Sequence, residues 1–301
     1  MSACGGDSDP VTAAALGDHG AAAPSRRAAA AGLAALFVGG AASLPDPRRI
    51  VSLTPCLDAV LVHVAERRRI AAVSHYTHEP ESSSLGPIGS TFPFTYGTAE
   101  EIVALRPDLV LSGPYIPAAT RNALGRMDVR VAMFNAPDTI AENISQIAAV
   151  AAAVGRPELG AALIARIRQA LARAAPAPGE RRISALVYQA GGFAAAKGAL
   201  MDDLLTHTGF DNAAPRYGLV RTGYVSLEKL VADPPEVLLA GAGRPGAPTW
   251  ADRVLRHPAL ARVRTRRATF PLRLTNCGGP VLIEAAATLA RIRRDVLTGR
   301  T

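Results

Sequence analysis

Apolar residues near the middle of the chain recur at steps of three and four. Ile140, Ile144, Ile147, Ala148, Ala151 and Val154 fall on one helical face, and Leu159, Leu163, Ile164, Ile167, Ala170 and Leu171 repeat the pattern. Thr139 with Glu142 forms a capping box at the first start. Gly155-Arg156-Pro157 stops that helix and opens the next, and Pro176-Ala177-Pro178-Gly179 ends the second. At about 1.5 Å per residue the second helix spans roughly 25 Å, the width of a small domain. The pattern predicts a helical spine over residues 138–178.

On either side of the spine the period changes. In residues 48–137, short β-branched runs at 49–53, 70–73, 108–111 and 129–134 alternate with helical patterns at 57–64, 98–106 and 118–127. The stretch 81–97, rich in Ser, Gly, Pro and aromatics, reads as loop. In residues 179–301, strands are expected at 183–188, 236–240 and 268–272. Helices are expected at 200–208, 225–231, 250–256 and, opened by Gly279-Pro280, at 279–297. Strands alternating with helices imply mainly parallel sheets covered on both faces. The expected fold class is therefore α/β, two Rossmann-like lobes joined by a long linking helix.

The lobes also resemble each other. Residues 98–111 align without gaps with residues 226–239, with five identities in fourteen positions, Glu100 with Glu228 among them. A duplicated lobe accounts for this. In open α/β sheets ligands sit beyond the carboxyl ends of the strands, here in the cleft between the lobes.

Residues 1–47 stand apart. The first 24 are rich in Ala, Gly and Asp without periodicity; Ser25-Arg26-Arg27 then precedes an apolar run from Ala28 to Ala42 that ends in small residues. This is the layout of an export signal, and the paired arginines fit the twin-arginine route. No other segment is long and apolar enough to span a membrane. Composition adds little to the picture. The net charge is +8 over 301 residues, but the arginines are scattered over helix faces and no nucleic-acid motif accompanies them, so a solvated basic surface is the reading.

Enzyme signatures fail. There is no phosphate-binding G-x-x-x-x-G-K-[ST], no G-x-G-x-x-G after a strand and no G-x-S-x-G elbow. His75, His78 and Glu79 form an H-x-x-H-E cluster in the loop after the second strand. It invites a metal reading but lacks the further ligands a zinc site needs nearby. No catalytic or metal residue is assigned.

Arg49-Ile50-Val51-Ser52-Leu53-Thr54-Pro55, then Ile102-Val103-Ala104-Leu105-Arg106-Pro107-Asp108-Leu109-Val110-Leu111, then the linking helix make a recognisable succession. From Arg48 to about Leu297 the chain resembles the periplasmic substrate-binding proteins of ABC importers for cobalamin, ferric siderophores and haem. The resemblance implies the class III periplasmic binding protein fold, little hinge closure and no chemistry on the ligand. It implies one docking glutamate per lobe, at Glu100 and Glu228, facing arginines of a permease dimer served by a separate ATPase. The alternative is that both are helix-start acids favoured by the dipole. It also places Tyr76, His75, Phe92, Phe94, Tyr96 and Tyr224 in loops that contact the ligand, with Arg273 available to an anionic group. Two tryptophans of the cobalamin binders, near Phe94 and Thr222, are missing here. In the resembled fold Cys56 and Cys277 border the cleft from opposite lobes, where they could bridge, grip a metal chelate as thiolates, or serve as small residues in tight turns.

The expectation is an exported monomer that binds a corrinoid or ferric-siderophore-type metal chelate, with no permanently bound cofactor and no nucleic acid. Alternatives are an exported protein binding free metal through His and Cys, or an enzyme on the same lobes.

Overall fold

The computed structural model describes residues 46–79, 83–241 and 257–299. The expected leader and export signal, up to residue 45, and the helix expected at 250–256 lie outside the described residues.

The N-terminal lobe runs β1 (Ile50–Ser52), α1 (Pro55–Val64), β2 (Ile70–Ser74), β3 (Phe94–Thr95), α2 (Ala99–Leu105), β4 (Leu109–Ser112), α3 (Ala118–Arg126) and β5 (Arg130–Met133). Its five strands pair in the order β3-β2-β1-β4-β5, all parallel. Two helices follow, α4 (Ile140–Ala153) and α5 (Pro157–Ala174). The C-terminal lobe contains β6 (Ile183–Tyr188), β7 (Phe193–Ala195), α6 (Leu200–His207), β8 (Phe210–Asn212), β9 (Thr222–Tyr224), α7 (Leu227–Ala232), β10 (Val237–Ala240), α8 (Pro258–Ala261), β11 (Arg266–Thr269) and α9 (Val281–Leu297). Its parallel sheet has the order β11-β10-β6-β8, and β7 and β9 form a separate antiparallel ribbon. Among the described residues no helix is long and apolar enough to cross a membrane.

Side chains alternate across each sheet, and that alternation builds three cores. Ile50, Leu109 and Leu111 from the first lobe, with Ala185, Val187, Val237 and Leu239 from the second, turn toward one shared central core. Ile147, Ile164, Ile167 and Leu289, from α4, α5 and α9, fill the same core. The intervening residues Val51 and Val110 face a smaller core under α2 and α3, while Leu186 and Leu238 face another on the far side of the second lobe. The helical spine is thus the middle layer between two sheets. Gly160 permits the close α4–α5 packing, since a Cβ there would lie 2.4 Å from the Ala151 Cβ.

Each lobe clasps one end of the spine with a buried arginine. Arg69 donates to the Val154 carbonyl just past α4 (2.7 Å), and Arg293 on α9 donates to the Ala174 carbonyl at the end of α5 (2.8 Å). Helix-terminal carbonyls lack intrahelical donors, and a guanidinium satisfies them while meeting the negative end of the dipole. At the other end, Thr139 accepts from the Glu142 N–H (3.1 Å), as the capping box predicts.

Candidate functional site

The carboxyl edges of the two sheets meet at a covalent seam. Pro55 opens α1 directly after β1, which places Cys56 in its first turn. Cys277 follows β11 and precedes α9. The two are joined in a disulfide with Cα atoms 5.0 Å apart and a sequence separation of 221. Beside it, the Gly279 N–H donates to Asn143 Oδ1 on α4 (3.2 Å). Gly278 must be glycine for this approach, since a Cβ would fall 2.1 Å from Asn143 Nδ2. Farther along the rim, Arg221 of the second lobe pairs with Asp138, just before α4. The bridge consumes both thiols, so of the three readings of Cys56 and Cys277 the structure has the bridge, and the expectation of thiolate contacts to a ligand gives way.

The N-lobe rim carries a connected set of rings. The turn after β2 presents His75 and Tyr76, with ring centroids 3.9 Å apart, and His75 also meets Tyr96 at 4.8 Å. Phe94 lies edge-on to Tyr96 at 5.5 Å and contacts His78 at 4.6 Å. Tyr96 remains 64% exposed, and Tyr76 and Phe94 are also exposed. These rings are close to one another yet open on one side, the arrangement that can accept a flat ligand. Beneath them Asp58, fully buried on α1, accepts from the Ser74 N–H (3.0 Å) and from the hydroxyls of Ser74 and Thr77. Burial pushes its carboxyl up to about 7, against the opposing effect of the Ser52, Ser74 and Thr77 hydroxyls and the Ser74 N–H. Glu101, in the first turn of α2, accepts from the Thr95 hydroxyl and the Tyr96 N–H, which hold its carboxyl below the usual range.

The C-lobe rim is sparser. Tyr224 on β9 is 71% exposed and lies edge-on to Phe193 at 5.6 Å across the ribbon. Gly191 and Gly192 form the adjoining turn with positive φ.

A model of the family described as periplasmic binding protein matches residues 50–269. The chain belongs to this family. No curated protein sequence matches it. Among solved structures it is similar to a periplasmic heme binding protein from Pseudomonas aeruginosa, with 22% identity, a TM-score of 0.64, and coverage of 82% of this chain and 92% of that one. It is similar to the periplasmic vitamin B12 binding protein of Vibrio cholerae at 17% identity and TM-score 0.64, covering 84% and 98%. A periplasmic heme binding protein of Vibrio cholerae gives 18% identity and TM-score 0.67, covering 81% and 98%. At these identities the likeness is one of fold.

Within this periplasmic binding protein the expected site residues divide. His75, Tyr76, Phe94 and Tyr96 come together at one rim, and Tyr224 lies on the opposite lobe. Phe92 does not join them: it is 6% exposed, packed into the central core with the Arg67 guanidinium 4.3 Å from its ring centroid. Arg273 is already paired, its guanidinium held by both carboxylate oxygens of Glu284, one at 2.8 Å. Its charge is matched within the protein, which counts against the expected role toward an anionic ligand. His78 is engaged with the Phe92 carbonyl through Nε2 (2.9 Å), and no group of three or more His, Cys, Asp or Glu among the described residues could hold a metal ion. Glu100 and Glu228 are both exposed in the first turns of α2 and α7, one on each lobe. The Glu228 backbone N–H and the Ser226 hydroxyl hold the Glu228 carboxyl below its usual range.

Two aromatics escaped the sequence reading. Tyr115, in the turn after β4, is 95% exposed, and Phe193 stands beside Tyr224. Like Tyr76, which the resemblance pointed to, Tyr115 is an aromatic just past the carboxyl end of a strand.

Proposed function

We infer that this periplasmic binding protein captures a metal chelate with a flat conjugated face, a corrinoid or haem-type macrocycle, between its lobes and delivers it to an ABC permease. The observation that carries this reading is the open ring cluster of His75, Tyr76, Phe94 and Tyr96 at the edge of the N-lobe sheet. Offset and edge-on rings favour a planar π-system by about 0.5–1.5 kcal/mol per contact beyond the area buried. Tyr115 and Tyr224 supply further exposed aromatic surface at the strand ends. The relatives of this fold named for heme and vitamin B12 support the same ligand class. The Cys56–Cys277 bridge suits an oxidising compartment, in keeping with export. Energy for transport comes from a separate ATPase, and Glu100 and Glu228 are the docking carboxylates, positioned to make charge-assisted pairs with permease arginines.

Equilibrium titration of the chain from about Leu44 onward with haemin, cyanocobalamin, cobinamide and hydroxamate and catecholate ferric siderophores tests the reading. Saturable one-to-one binding of a planar macrocycle at about micromolar Kd or tighter is expected. Binding of a siderophore alone would overturn the planar-face assignment, and binding of none would overturn the ligand class. Double reversal, Glu100→Lys with Glu228→Lys, is expected to abolish uptake while leaving affinity unchanged; retained uptake would remove the docking role.

A further inference from the structure

The two turns that present the ring cluster are each held from behind by a carboxylate. Asp58 uses a single oxygen, Oδ2, to accept from the Ser74 N–H, the Ser74 hydroxyl and the Thr77 hydroxyl (2.6 Å). Those donors flank His75 and Tyr76 in sequence. Glu101 uses a single oxygen, Oε2, to accept from the Thr95 hydroxyl and the Tyr96 N–H (2.7 Å). Those donors flank and include Tyr96. The strands beneath do not reach as far. β2 and β3 pair only at Val73 with Phe94 and at Ser74 with Thr95, so the ladder includes Phe94 but stops short of His75, Tyr76 and Tyr96. Beyond it, the two carboxylates hold the turns, helped by the Glu79 N–H on the Tyr76 carbonyl (3.1 Å), the Gly97 N–H on Thr95 Oγ1 (2.9 Å) and the Thr120 hydroxyl on the Gly97 carbonyl (3.3 Å), and the rings meet as His75 against Tyr96.

We propose that Asp58 and Glu101 are positioning residues that hold His75, Tyr76 and Tyr96 in their stacked arrangement before the ligand arrives. This rests on the reading of the ring cluster as the ligand face. Neither carboxylate touches the ligand. Each removes freedom from a turn that otherwise has to be ordered at the moment of capture, and ordering a loose aromatic side chain on binding subtracts directly from affinity. A preformed face also suits a fold in which a disulfide ties the first turn of α1 to the segment before α9, because such a tie restrains the lobe movement that could assemble the site afterwards.

The test compares removal of each acceptor with its conservative replacement. Asp58→Ala and Glu101→Ala are each expected to weaken binding of haemin or cyanocobalamin about tenfold. They should also lose the near-ultraviolet circular dichroism band of the ligand-free protein that Tyr96→Ala loses. Asp58→Asn and Glu101→Gln keep one acceptor oxygen in place and are expected to restore both signals, with affinity within about threefold of the parent. Alanine variants that stay folded, keep the band and bind within about twofold would overturn the proposal. Should Asp58→Ala not fold, Glu101→Ala decides, since Glu101 sits at the partly exposed start of α2. Unchanged binding in Tyr96→Ala would overturn the ligand-face reading instead, while the dichroism of the alanine variants would still decide the anchoring.

Discussion

The two lobes share a frame and part company at the rim. Each turns one face of a parallel sheet into the common core, and each grips one linking helix with a buried arginine, Arg69 in the first and Arg293 in the second. At the cleft, the first lobe offers five linked rings over two carboxylate anchors, and the second offers one aromatic pair and a glycine turn. Packing accounts for the contrast. Frame positions answer to a dense interior in which a methylene more or less is felt. Rim positions answer only to what enters the cleft, so a duplicated lobe can diverge there without losing its fold.

The largest test of this picture concerns the seam that joins the lobes. Replacing Cys56 and Cys277 by serine frees a loop of 221 residues, and the chain-entropy account puts the lost stability at up to about 5 kcal/mol. The denaturant midpoint should fall with a single transition retained, because the central core draws on both sheets. Two separate transitions would show that the lobes hold themselves up independently.

Next in size is a difference confined to the first lobe. Asp58 is the one acidic residue in the buried set among the described residues, and its carboxyl is raised from 3.8 to about 7. Unfolded chains release this proton near 3.8, whereas the folded protein keeps it until about 7. The associated stability is full below 3.8, declines as pH rises toward 7, and is flat above. At 1.36 kcal/mol per unit the span is at most about 4 kcal/mol. Asp58→Asn should therefore raise the thermal midpoint at pH 8 by more than at pH 5. Hydrogen exchange should show the gain in N-lobe amides first, and an equal gain in both lobes would weaken the contrast.

The smallest effect compares the two rims directly. Tyr96→Ala is expected to weaken ligand binding about tenfold, or 1.4 kcal/mol, and Tyr224→Ala about threefold. The reverse order, measured by equilibrium titration, would make the second lobe the recognition face.

Much of the frame could be read from the chain, because it is written in local signals. The spine appears where its periodicity puts it, and Thr98 and Thr139 cap their helices as their spacing predicts. The elements that were missed are those with no local signal. β3, β7, β8 and β9 are two or three residues long, too short for alternation to register, and exist because a neighbour pairs with them. β11 starts at Arg266 rather than 268, since charged residues on an edge strand do not read as strand. Phe92 sits among serines, threonines, prolines and glycines that read as loop, yet it is the residue that plugs the core beneath that loop. The site was legible as loops after strands and illegible as contacts. Only the resemblance brought Cys56 and Cys277 near each other, with a bridge as one of three readings, and nothing near Arg273 announces that Glu284 already holds it.

The bridge also decides what happens when the backbone is cut. It joins the first turn of the first helix to the residues just before the last one, so everything from Cys56 to Cys277 is a closed covalent ring, with β1 before it and α9 after it. Exposed turns are where proteases strike, and a single strike anywhere inside the ring opens it without producing two molecules. Such a nicked protein runs as one band on a denaturing gel without reductant and as two with it. Both halves of a nicked chain stay in one molecule for as long as the bridge is oxidised.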